Sequence, residues 1–258
     1  MVEELDAAGL IARLEALGPP GLLTFDADGT LWSGDAGEDT FVAALEAGYL
    51  DNRIEPALQA AAMRAGLPAT SGVVELCFSI FEAYRDGRFD EREVCEVMTW
   101  CYAGRTPGEL AQFVSGVFAT STPSRGLLRE RYQRQVMEVI GWARGRGCRC
   151  AIISASPRIV LEVAAAPLGF APEDIVGARA AIDEQGVIEA RMDGQVPYAA
   201  DKARAGRELA GASPWLAAFG DSAFDVEMMK VARLGVGVQP KAALRDALAQ
   251  LPAACILG

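Results

Sequence analysis

An acidic cluster that directly follows a strand-like apolar run is the first place where this sequence could do chemistry. Asp26 and Asp28 come after the apolar run Leu22–Phe25, in the segment FDADGT. Two like charges at the end of a buried strand favour a cation that offsets them. Gly29 allows the chain to turn sharply because it carries no side chain. The alternative interpretation is an ordinary acidic turn, since Asp-Gly is a common turn pair.

A second acidic cluster follows another apolar run, closer to the carboxyl end of the chain. Asp221 and Asp225 stand in the segment FGDSAFD, after the run 215–219. The alternative interpretation is an Asp helix cap with a second acid that stabilises the helix dipole. If both runs are strands of one parallel sheet, the two clusters converge on one site of oxygen ligands. Such a site without histidine favours a hard cation, and Mg²⁺ is the usual one where phosphate is bound.

A serine and a lysine could add anion-binding groups to this site. Ser154 lies at the end of the apolar run 150–153 and just before a predicted helix. A hydroxyl and free backbone N–H groups at such a position bind anions. Ser154 could instead cap the helix, but Ser156 fits that role better because Pro157 opens the predicted helix. Lys202 lies near the start of a later predicted helix, where an exposed lysine is usually only a solvated charge.

Strand-like and helix-like patterns alternate outside residues 36–121. This alternation predicts an α/β fold, with a Rossmann-like parallel sheet and right-handed crossovers. We expect strands at 22–25, 150–153, 215–219 and 234–238, a β-hairpin over 175–191 that turns at 184–186, and helices over 127–144, from 157, over 201–209, through 228–229 and over 241–251. In such sheets, ligands bind beyond the carboxyl ends of the strands, and Asp26, Ser154 and Asp221 all lie at such ends.

Residues 36–121 have a different pattern. Apolar residues recur there at helical spacing in five stripes, separated by segments that contain Gly or Pro, and no strand pattern is present. This predicts an inserted α-helical domain over 36–121, and an α/β core domain formed by residues 1–35 and 122–258. Leu10 and Leu14 have helical spacing too, which predicts an amphipathic helix that packs on the core.

Composition excludes several classes of function. The 258 residues include 35 acidic and 24 basic ones, and the net charge of −11 argues against nucleic acid or an anionic membrane as main partner. The absence of histidine excludes histidine-based triads and most zinc sites. The six cysteines have no CxxC spacing, the acidic start differs from a signal peptide, and no apolar run could span a bilayer. We therefore expect a cytoplasmic protein with reduced thiols and no membrane partner.

Four motifs stand in the order found in the haloacid-dehalogenase-like (HAD) superfamily of phosphohydrolases. They are DxDGT at 26–30, a strand-end serine at 154, a lysine at 202 and GDxxxD at 220–225. Each motif is weak alone, but their conjunction is specific and covers nearly the whole chain outside 36–121. The sequence therefore resembles this superfamily. The helical insertion between the first two motifs is similar to the cap domain of the phosphoserine-phosphatase-like branch.

The resemblance implies a division of roles among the acidic residues. Asp26 would be the nucleophile and would take the phosphoryl group as an aspartyl phosphate. Asp28 would protonate the leaving alcohol and then activate the hydrolytic water. Mg²⁺ would be held by Asp26, the backbone carbonyl of Asp28, and Asp221, with Asp225 binding directly or through water.

The same resemblance implies which groups bind the substrate. Ser154, the N–H of Ala155 and Lys202 would hold the phosphoryl oxygens. An acid soon after the first motif often binds the substrate amine in that branch, and both Asp35 and Glu38 are candidates. We therefore expect a phosphatase for a small phosphate monoester, acting as a monomer or homodimer. A phosphotransferase of the same fold and a catalytically inactive binding relative are the alternatives, and a dehalogenase is less favoured because a leaving halide needs no proton.

The chain departs from the usual pattern of that branch in two motifs. The serine is usually followed by two glycines, whereas this chain has Ala155 and Ser156. The last motif is usually GDGxND, whereas this chain has Ser222 and Phe224. These departures leave the substrate open between phosphoserine-like compounds and other phospho-alcohols.

Overall fold

A parallel sheet of seven strands forms the centre of the structure, a computed structural model that describes residues 2–68, 70–122 and 126–258. The nine strands of these residues are β1 (Glu3–Leu5), β2 (Leu22–Phe25), β3 (Arg149–Pro157), β4 (Ile175–Ala178), β5 (Ala180–Ile182), β6 (Ile188–Met192), β7 (Trp215–Gly220), β8 (Leu234–Val238) and β9 (Ala254–Leu257). The sheet has the spatial order β1-β9-β8-β7-β2-β3-β4, and every neighbouring pair runs parallel. The remaining strands, β5 and β6, form an antiparallel hairpin.

Helices cover both faces of this sheet. The described helices are α1 (Ala7–Ala16), α2 (Ala36–Glu46), α3 (Glu55–Arg64), α4 (Val73–Arg85), α5 (Glu91–Trp100), α6 (Pro107–Ala119), α7 (Arg134–Gly145), α8 (Arg158–Ala165), α9 (Ala200–Ala210), α10 (Val226–Val231) and α11 (Ala242–Leu248). Strands β2, β7 and β8 are buried at every position, because α1, α7 and α8 pack on one face while α9, α10 and α11 pack on the other. Leu22 and Leu23 belong to opposite clusters, as alternation along a strand requires.

The amino-terminal helix is confirmed as predicted. Asp6 caps α1, since its Oδ1 accepts a hydrogen bond from the N–H of Gly9 at 2.8 Å. Leu10 and Leu14 are fully buried against the core. The helix therefore covers the sheet with its apolar side.

The helical insertion is predicted over residues 36–121. Their described part contains α2 to α6 and connecting turns but no strand. The predicted α/β core with an inserted α-helical cap is thus confirmed, and 36–121 stays our proposal for the extent of the cap. The cap meets the core hairpin, where the N–H of Gly104 donates to the carbonyl of Ile188 at 2.9 Å and the N–H of Ile188 donates to the carbonyl of Arg105 at 2.8 Å.

The predicted hairpin over 175–191 is wrong in its first part. Ile175–Ala178 is β4, which pairs with β3 at the edge of the main sheet, and only β5 and β6 form the hairpin. The turn is where the sequence predicts it. The Oδ1 of Asp183 accepts hydrogen bonds from the N–H groups of Gln185 and Val187, both at 2.9 Å. Residues 175–182 therefore contribute strands to two different sheets, and the alternation of apolar and polar residues alone does not reveal where the first strand ends.

The predicted helix over 127–144 starts too early. Helix α7 begins only at Arg134, because the residues before it are held against the loop after β2. The Nε of Arg131 donates to the carbonyl of Ser33 at 2.6 Å, and Tyr132 forms a β-bridge with Trp32. These tertiary contacts override local helical propensity.

Two short outer strands escape sequence reasoning. Strand β9 pairs with β8 and β1, and neither β1 nor β9 has a long apolar run to mark it. The last helix, predicted over 241–251, covers only Ala242–Leu248.

All six cysteines are free thiols. In the described part of the chain, no helix combines the length and the apolar character that a membrane crossing needs.

Candidate active site

The carboxyl ends of three adjacent strands, β7, β2 and β3, meet at one cavity of about 100 Å³. Asp26 follows β2, Asp221 follows β7, and Ser154 lies in the last part of β3. All three residues line the cavity, together with Asp28 and Lys202. Motifs that lie far apart in the sequence are therefore brought to one place by the order of the strands.

Lys202 lies between two carboxylates in this cavity. Its Nζ donates to Oδ1 of Asp26 at 2.7 Å and to Oδ1 of Asp225 at 2.6 Å. Lys202 is 3% exposed and Asp225 is 0% exposed. Burial by itself would lower the pKa of Lys202, but Asp225 and Asp26 raise it, and the net shift is upward. The lysine is thus a buried cation of the cluster, and the alternative of a solvated surface charge is wrong.

Asp225 accepts hydrogen bonds at both of its carboxylate oxygens. Beside the contact of Oδ1 with Lys202, Oδ2 accepts from the N–H groups of Asp221 (3.2 Å) and Ser222 (3.1 Å) and from the Ser222 hydroxyl (3.3 Å). Gly220 is required next to it, because a Cβ at that position would lie 2.3 Å from the same Oδ2. The GDxxxD spacing therefore fixes Asp225, which in turn fixes Lys202.

Lys241 adds a second cation beside Asp221. Its Nζ lies 2.9 Å from Oδ2 of Asp221, and its backbone N–H donates to the Asp221 carbonyl at 2.8 Å. Burial raises the pKa of Asp221, although Lys241 opposes this shift. Gly29 packs against the same carboxylate with a φ of +78°, and a Cβ there would lie 2.4 Å from Oδ2 of Asp221. The first motif can approach the last one so closely only with glycine at this position.

The donor set fits a hard divalent cation. One carboxylate oxygen from each of Asp26, Asp221 and Asp225 can be chosen so that the three atoms lie within 4.8 Å of one another. Burial raises the pKa of Asp26, which Lys202 counteracts and Asp225 reinforces. Among the described residues, these three buried carboxylates are paired with two lysines, so a further positive charge would stabilise the ionised cluster. Oxygen ligands of this kind suit Mg²⁺. We call Asp26, Lys202, Asp221 and Asp225 the cavity floor.

The carboxylate of Asp28 is held apart from this cluster. Its Oδ1 accepts hydrogen bonds from Nε1 of Trp32 and the N–H of Ala36, both at 2.7 Å. Its Oδ2 accepts one from the hydroxyl of Ser156 at 2.6 Å. All three of these hydrogen bonds come from residues outside the acidic cluster, and the family resemblance assigns only the backbone carbonyl of Asp28 to metal binding.

Ser156 does not cap a helix, contrary to the sequence prediction. Strand β3 continues to Pro157, and α8 begins at Arg158 without a side-chain cap. The hydroxyl of Ser156 instead donates to Asp28, as described above, while its N–H donates to Oγ of Ser154 at 3.2 Å. A tertiary partner thus replaces the local one.

A family model describes the part of the chain that carries all of these residues but Lys241. The model of haloacid dehalogenase-like hydrolases matches residues 23–230. The chain belongs to this family. The superfamily predicted from the four motifs is thus confirmed. The matched residues include parts of the core as well as the helical insertion.

Solved structures show the same fold as this HAD-like hydrolase. A protein from Anaerococcus prevotii DSM 20548 matches with a TM-score of 0.68 and 15% identity, over 96% of this chain and 90% of that chain. A protein of unknown function from Bordetella pertussis Tohama I matches with 0.67 and 21%, over 92% and 97%. A substrate-bound phosphoserine phosphatase matches with 0.53 and 18%, over 92% and 93%. No curated protein matches the chain significantly.

The two acids predicted to bind the substrate differ in position. Asp35 caps α2, where its Oδ1 accepts from the N–H of Glu38 at 2.8 Å. Burial raises the pKa of both carboxyl groups, and Asp28 raises each of them further. Both residues line the cavity, but only Glu38 has a carboxylate without a hydrogen bond or ion pair among the described residues. Ala155 lines the cavity beside Ser154.

Sequence reasoning missed several residues of the cavity. Helix α5 of the cap contributes Glu91, which no motif marks, and helix α4 contributes Tyr84, an aromatic residue for which core packing is the sequence-based expectation and a pocket lining the alternative. Lys241 stands three residues after β8, so a search of every strand end for polar residues would have found it. We call Glu38, Tyr84 and Glu91 the cap wall, because they face the cavity from the helical insertion.

Proposed function

We propose that this HAD-like hydrolase is a Mg²⁺-dependent phosphatase that cleaves a small phosphate monoester through an aspartyl-phosphate intermediate. The observation that carries this proposal is the hydrogen bond of the buried Asp26 to Lys202, beside the carboxylates of Asp221 and Asp225. A nucleophile fixed among metal-binding carboxylates and a lysine suits the transfer of a phosphoryl group. The fold shared with phosphoserine phosphatases supports the same reaction class.

Asp26 would start the reaction. Lys202 occupies its Oδ1, while its Oδ2 accepts no hydrogen bond from the described residues and is left to attack the phosphorus. Ser154, the N–H of Ala155 and Lys202 would hold the phosphoryl oxygens, since they surround the same cavity. Asp26, Asp221, Asp225 and the Asp28 carbonyl would hold Mg²⁺, which would supply positive charge to the transferring phosphoryl group.

Asp28 would move the protons of both half-reactions. As the bond between phosphorus and the ester oxygen breaks, the carboxyl proton of Asp28 passes to that oxygen, and the alcohol leaves. The ionised Asp28 then takes a proton from a water molecule whose oxygen attacks the aspartyl phosphate. This second step restores the carboxylate of Asp26 and releases inorganic phosphate.

The cap wall favours a substrate with a positive charge on its alcohol part. Glu38 and Glu91 line the cavity, and neither carboxylate has a hydrogen bond or ion pair with the residues that the structure describes. The positive side chains on the described lining are Lys202 and Lys241, and both are paired with floor carboxylates. We therefore propose an amino-alcohol phosphate as the substrate, with Asp35 as a helix cap and Glu38 as a substrate ligand.

The six free thiols support our placement of the enzyme in the cytoplasm.

Phosphate release from a panel of esters tests this proposal. The panel contains 2-aminoethyl phosphate, phosphocholine, phosphoserine, glycerol phosphate and p-nitrophenyl phosphate, each with Mg²⁺ or with a chelator. We expect Mg²⁺-dependent release, fastest from the esters with an amine and no carboxylate. Added alcohols distinguish hydrolysis from transfer, because a phosphotransferase would convert them to new phosphate esters. If no ester releases phosphate, p-nitrophenyl phosphate included, the proposed function is wrong.

A further inference from the structure

The two carboxylate oxygens of Asp28 have different kinds of partner. Oδ1 accepts from two nitrogen donors, Nε1 of Trp32 and the N–H of Ala36. Oδ2 accepts from one hydroxyl, that of Ser156. Within the described residues, no other group donates to Oδ2 of Asp28. The carboxyl group is therefore held in one orientation with Oδ2 on the side of β3.

This difference decides which oxygen can carry a proton. An indole or backbone N–H can only donate, so Oδ1 must remain an acceptor in both ionisation states of Asp28. The proton of the carboxylic acid then belongs on Oδ2. A serine hydroxyl both donates and accepts, so the contact with Ser156 is compatible with either state. Oδ2 keeps a further lone-pair direction for the leaving oxygen.

The position of Ser156 is itself fixed by its surroundings. Its N–H donates to Oγ of Ser154 at 3.2 Å, and it continues the buried strand β3 beyond that residue. Gly37 closes the opposite side, where an added Cβ would lie 3.4 Å from the Ser156 oxygen. Ser156 thus links the strand end that lines the phosphoryl side of the cavity to the carboxyl group of Asp28.

We propose that Ser156 is a positioning residue that directs Oδ2 of Asp28 towards the leaving oxygen of the substrate. This inference rests on the proposed function, in which Asp28 is the acid and base. When the proton passes from Oδ2 to the departing alkoxide, the hydroxyl of Ser156 stabilises the carboxylate that remains. When Oδ2 takes a proton from water, the same contact keeps it oriented. The chain carries this hydroxyl at one of the positions where it departs from the branch that it resembles.

The dependence of rate on the leaving group tests this role. An alkoxide leaves only with a proton, whereas p-nitrophenolate is a weak base that leaves without one. We expect Ser156→Ala to lower kcat/KM for 2-aminoethyl phosphate by about 10- to 100-fold, the loss of one hydrogen bond to a charged group. The kcat/KM for p-nitrophenyl phosphate, which covers only the steps up to release of the phenolate, should change less than about threefold. Ser156→Thr, which keeps a hydroxyl, should restore most of the activity on the alkyl ester.

Ser33→Ala is the matched control. Ser33 is exposed on the loop that carries Trp32, and among the described residues its hydrogen bonds involve only its backbone. It should leave both rates unchanged, and thermal melting would verify the fold of each variant. An equal loss on both esters, or no loss on the alkyl ester, would overturn the positioning role. If the wild-type protein cleaves neither ester, the proposed function fails, and this inference fails with it. If the wild-type protein cleaves the esters but Ser156→Ala leaves the ratio of kcat/KM for the two esters unchanged, only this inference is overturned.

Discussion

The cavity floor and the cap wall both contain carboxylates, but those of the floor are paired with lysines and those of the wall are not paired among the described residues. In the floor, Asp26 and Asp225 share the ammonium group of Lys202, and Asp221 is paired with Lys241. In the wall, the carboxylates of Glu38 and Glu91 have no such partner among the described residues. The floor carboxylates are therefore paired within the free protein, whereas the wall keeps two carboxylates that the proposed amino-alcohol phosphate would neutralise.

Burial explains why this division is stable. A buried charge without a partner is costly, so every floor carboxylate has a cation in contact with it. Glu38 and Glu91 are only half-buried, and water can still solvate them in the free protein. Desolvation nevertheless raises the pKa of each, although Arg85 opposes this shift at Glu38 and Lys241 opposes it at Glu91, so a cationic ligand would relieve part of that cost. We infer that the core supplies reactivity and the cap supplies selectivity.

The largest effect should come from the nucleophile in the floor. Asp26→Asn should reduce phosphate release by at least about 1,000-fold, because an amide oxygen cannot form the aspartyl phosphate. Initial rates with Mg²⁺ measure the loss. The control is Asp246→Asn, an exposed position on α11, which should retain full activity. Substantial turnover by Asp26→Asn would remove Asp26 from the mechanism.

Lys202→Met tests whether the floor is an assembled unit. Removal of the ammonium group leaves Asp26 and Asp225 without their shared partner, and we expect a loss of roughly 3–5 kcal/mol in the free energy of unfolding. Denaturant melts would measure it. Arg204→Met is the control on the same helix, because the ion pairs of Arg204 are exposed, and its melting curve should match the wild type. Equal stability of the two variants would contradict the picture of a paired floor.

The affinity for Mg²⁺ should increase with pH. Asp26 has a raised pKa in the absence of metal, so at lower pH the metal must displace a proton from it. The apparent affinity then rises by up to about tenfold per pH unit until Asp26 is fully ionised, and it levels off above that point. Calorimetry in two buffers with different ionisation enthalpies would detect the released proton. A flat affinity would show that Asp26 is already ionised, whereas an affinity equal to that of Asp26→Asn would show that Asp26 does not hold the metal.

Glu91→Gln and Glu38→Gln test the cap wall. Each should lower kcat/KM for 2-aminoethyl phosphate by about tenfold, because a charge-assisted contact is lost, while p-nitrophenyl phosphate is cleaved at the wild-type rate. Glu93→Gln lies on the same helix as Glu91 but does not line the cavity, so it should behave as wild type. A uniform loss on both esters would assign the wall to stability and not to selectivity.

The smallest effect should come from an ion pair that joins the two regions. Arg92 of the cap helix α5 contacts Asp201, the neighbour of Lys202, at 2.7 Å. Arg92→Ala should lower the unfolding free energy by less than about 1 kcal/mol, because the pair is partly exposed to solvent. Arg88→Ala breaks a pair with Asp86 that stays within the cap. A KM that rises in Arg92→Ala and not in Arg88→Ala would show that the cap and core are coupled through this contact.

Local patterns in the sequence were enough for Asp26 and Asp221 of the floor and for most of the sheet, whereas Lys202 was selected only through the family resemblance. A buried strand is marked by its apolar run, and an acid at the end of that run is conspicuous because charge is costly there. Leu22–Phe25 and Leu234–Val238 have the predicted bounds. Asp26 and Asp221 could therefore be selected, and the parallel order of strands implied that they would meet.

The remaining parts depend on partners that are remote in sequence. Ser156 is a plausible helix cap by local rules, but Asp28, 128 residues away, takes its hydroxyl. Arg131 shortens a predicted helix through a contact with Ser33. In the sequence, Glu91 is an ordinary acid in the first turn of a helix. Only the packing of the cap on the strand ends places it in the lining of the cavity.

The sequence by itself determined which groups are candidates for the reaction, because a carboxylate that follows a strand is a local feature. The tertiary structure alone decided which charges are paired and which are left for a ligand. Pairing depends on distances between elements that the chain joins only after folding. Lys202 and Asp26, which are hydrogen-bonded, illustrate a pair that folding brings together. Glu91 illustrates a carboxylate that folding leaves without a hydrogen bond or ion pair among the described residues.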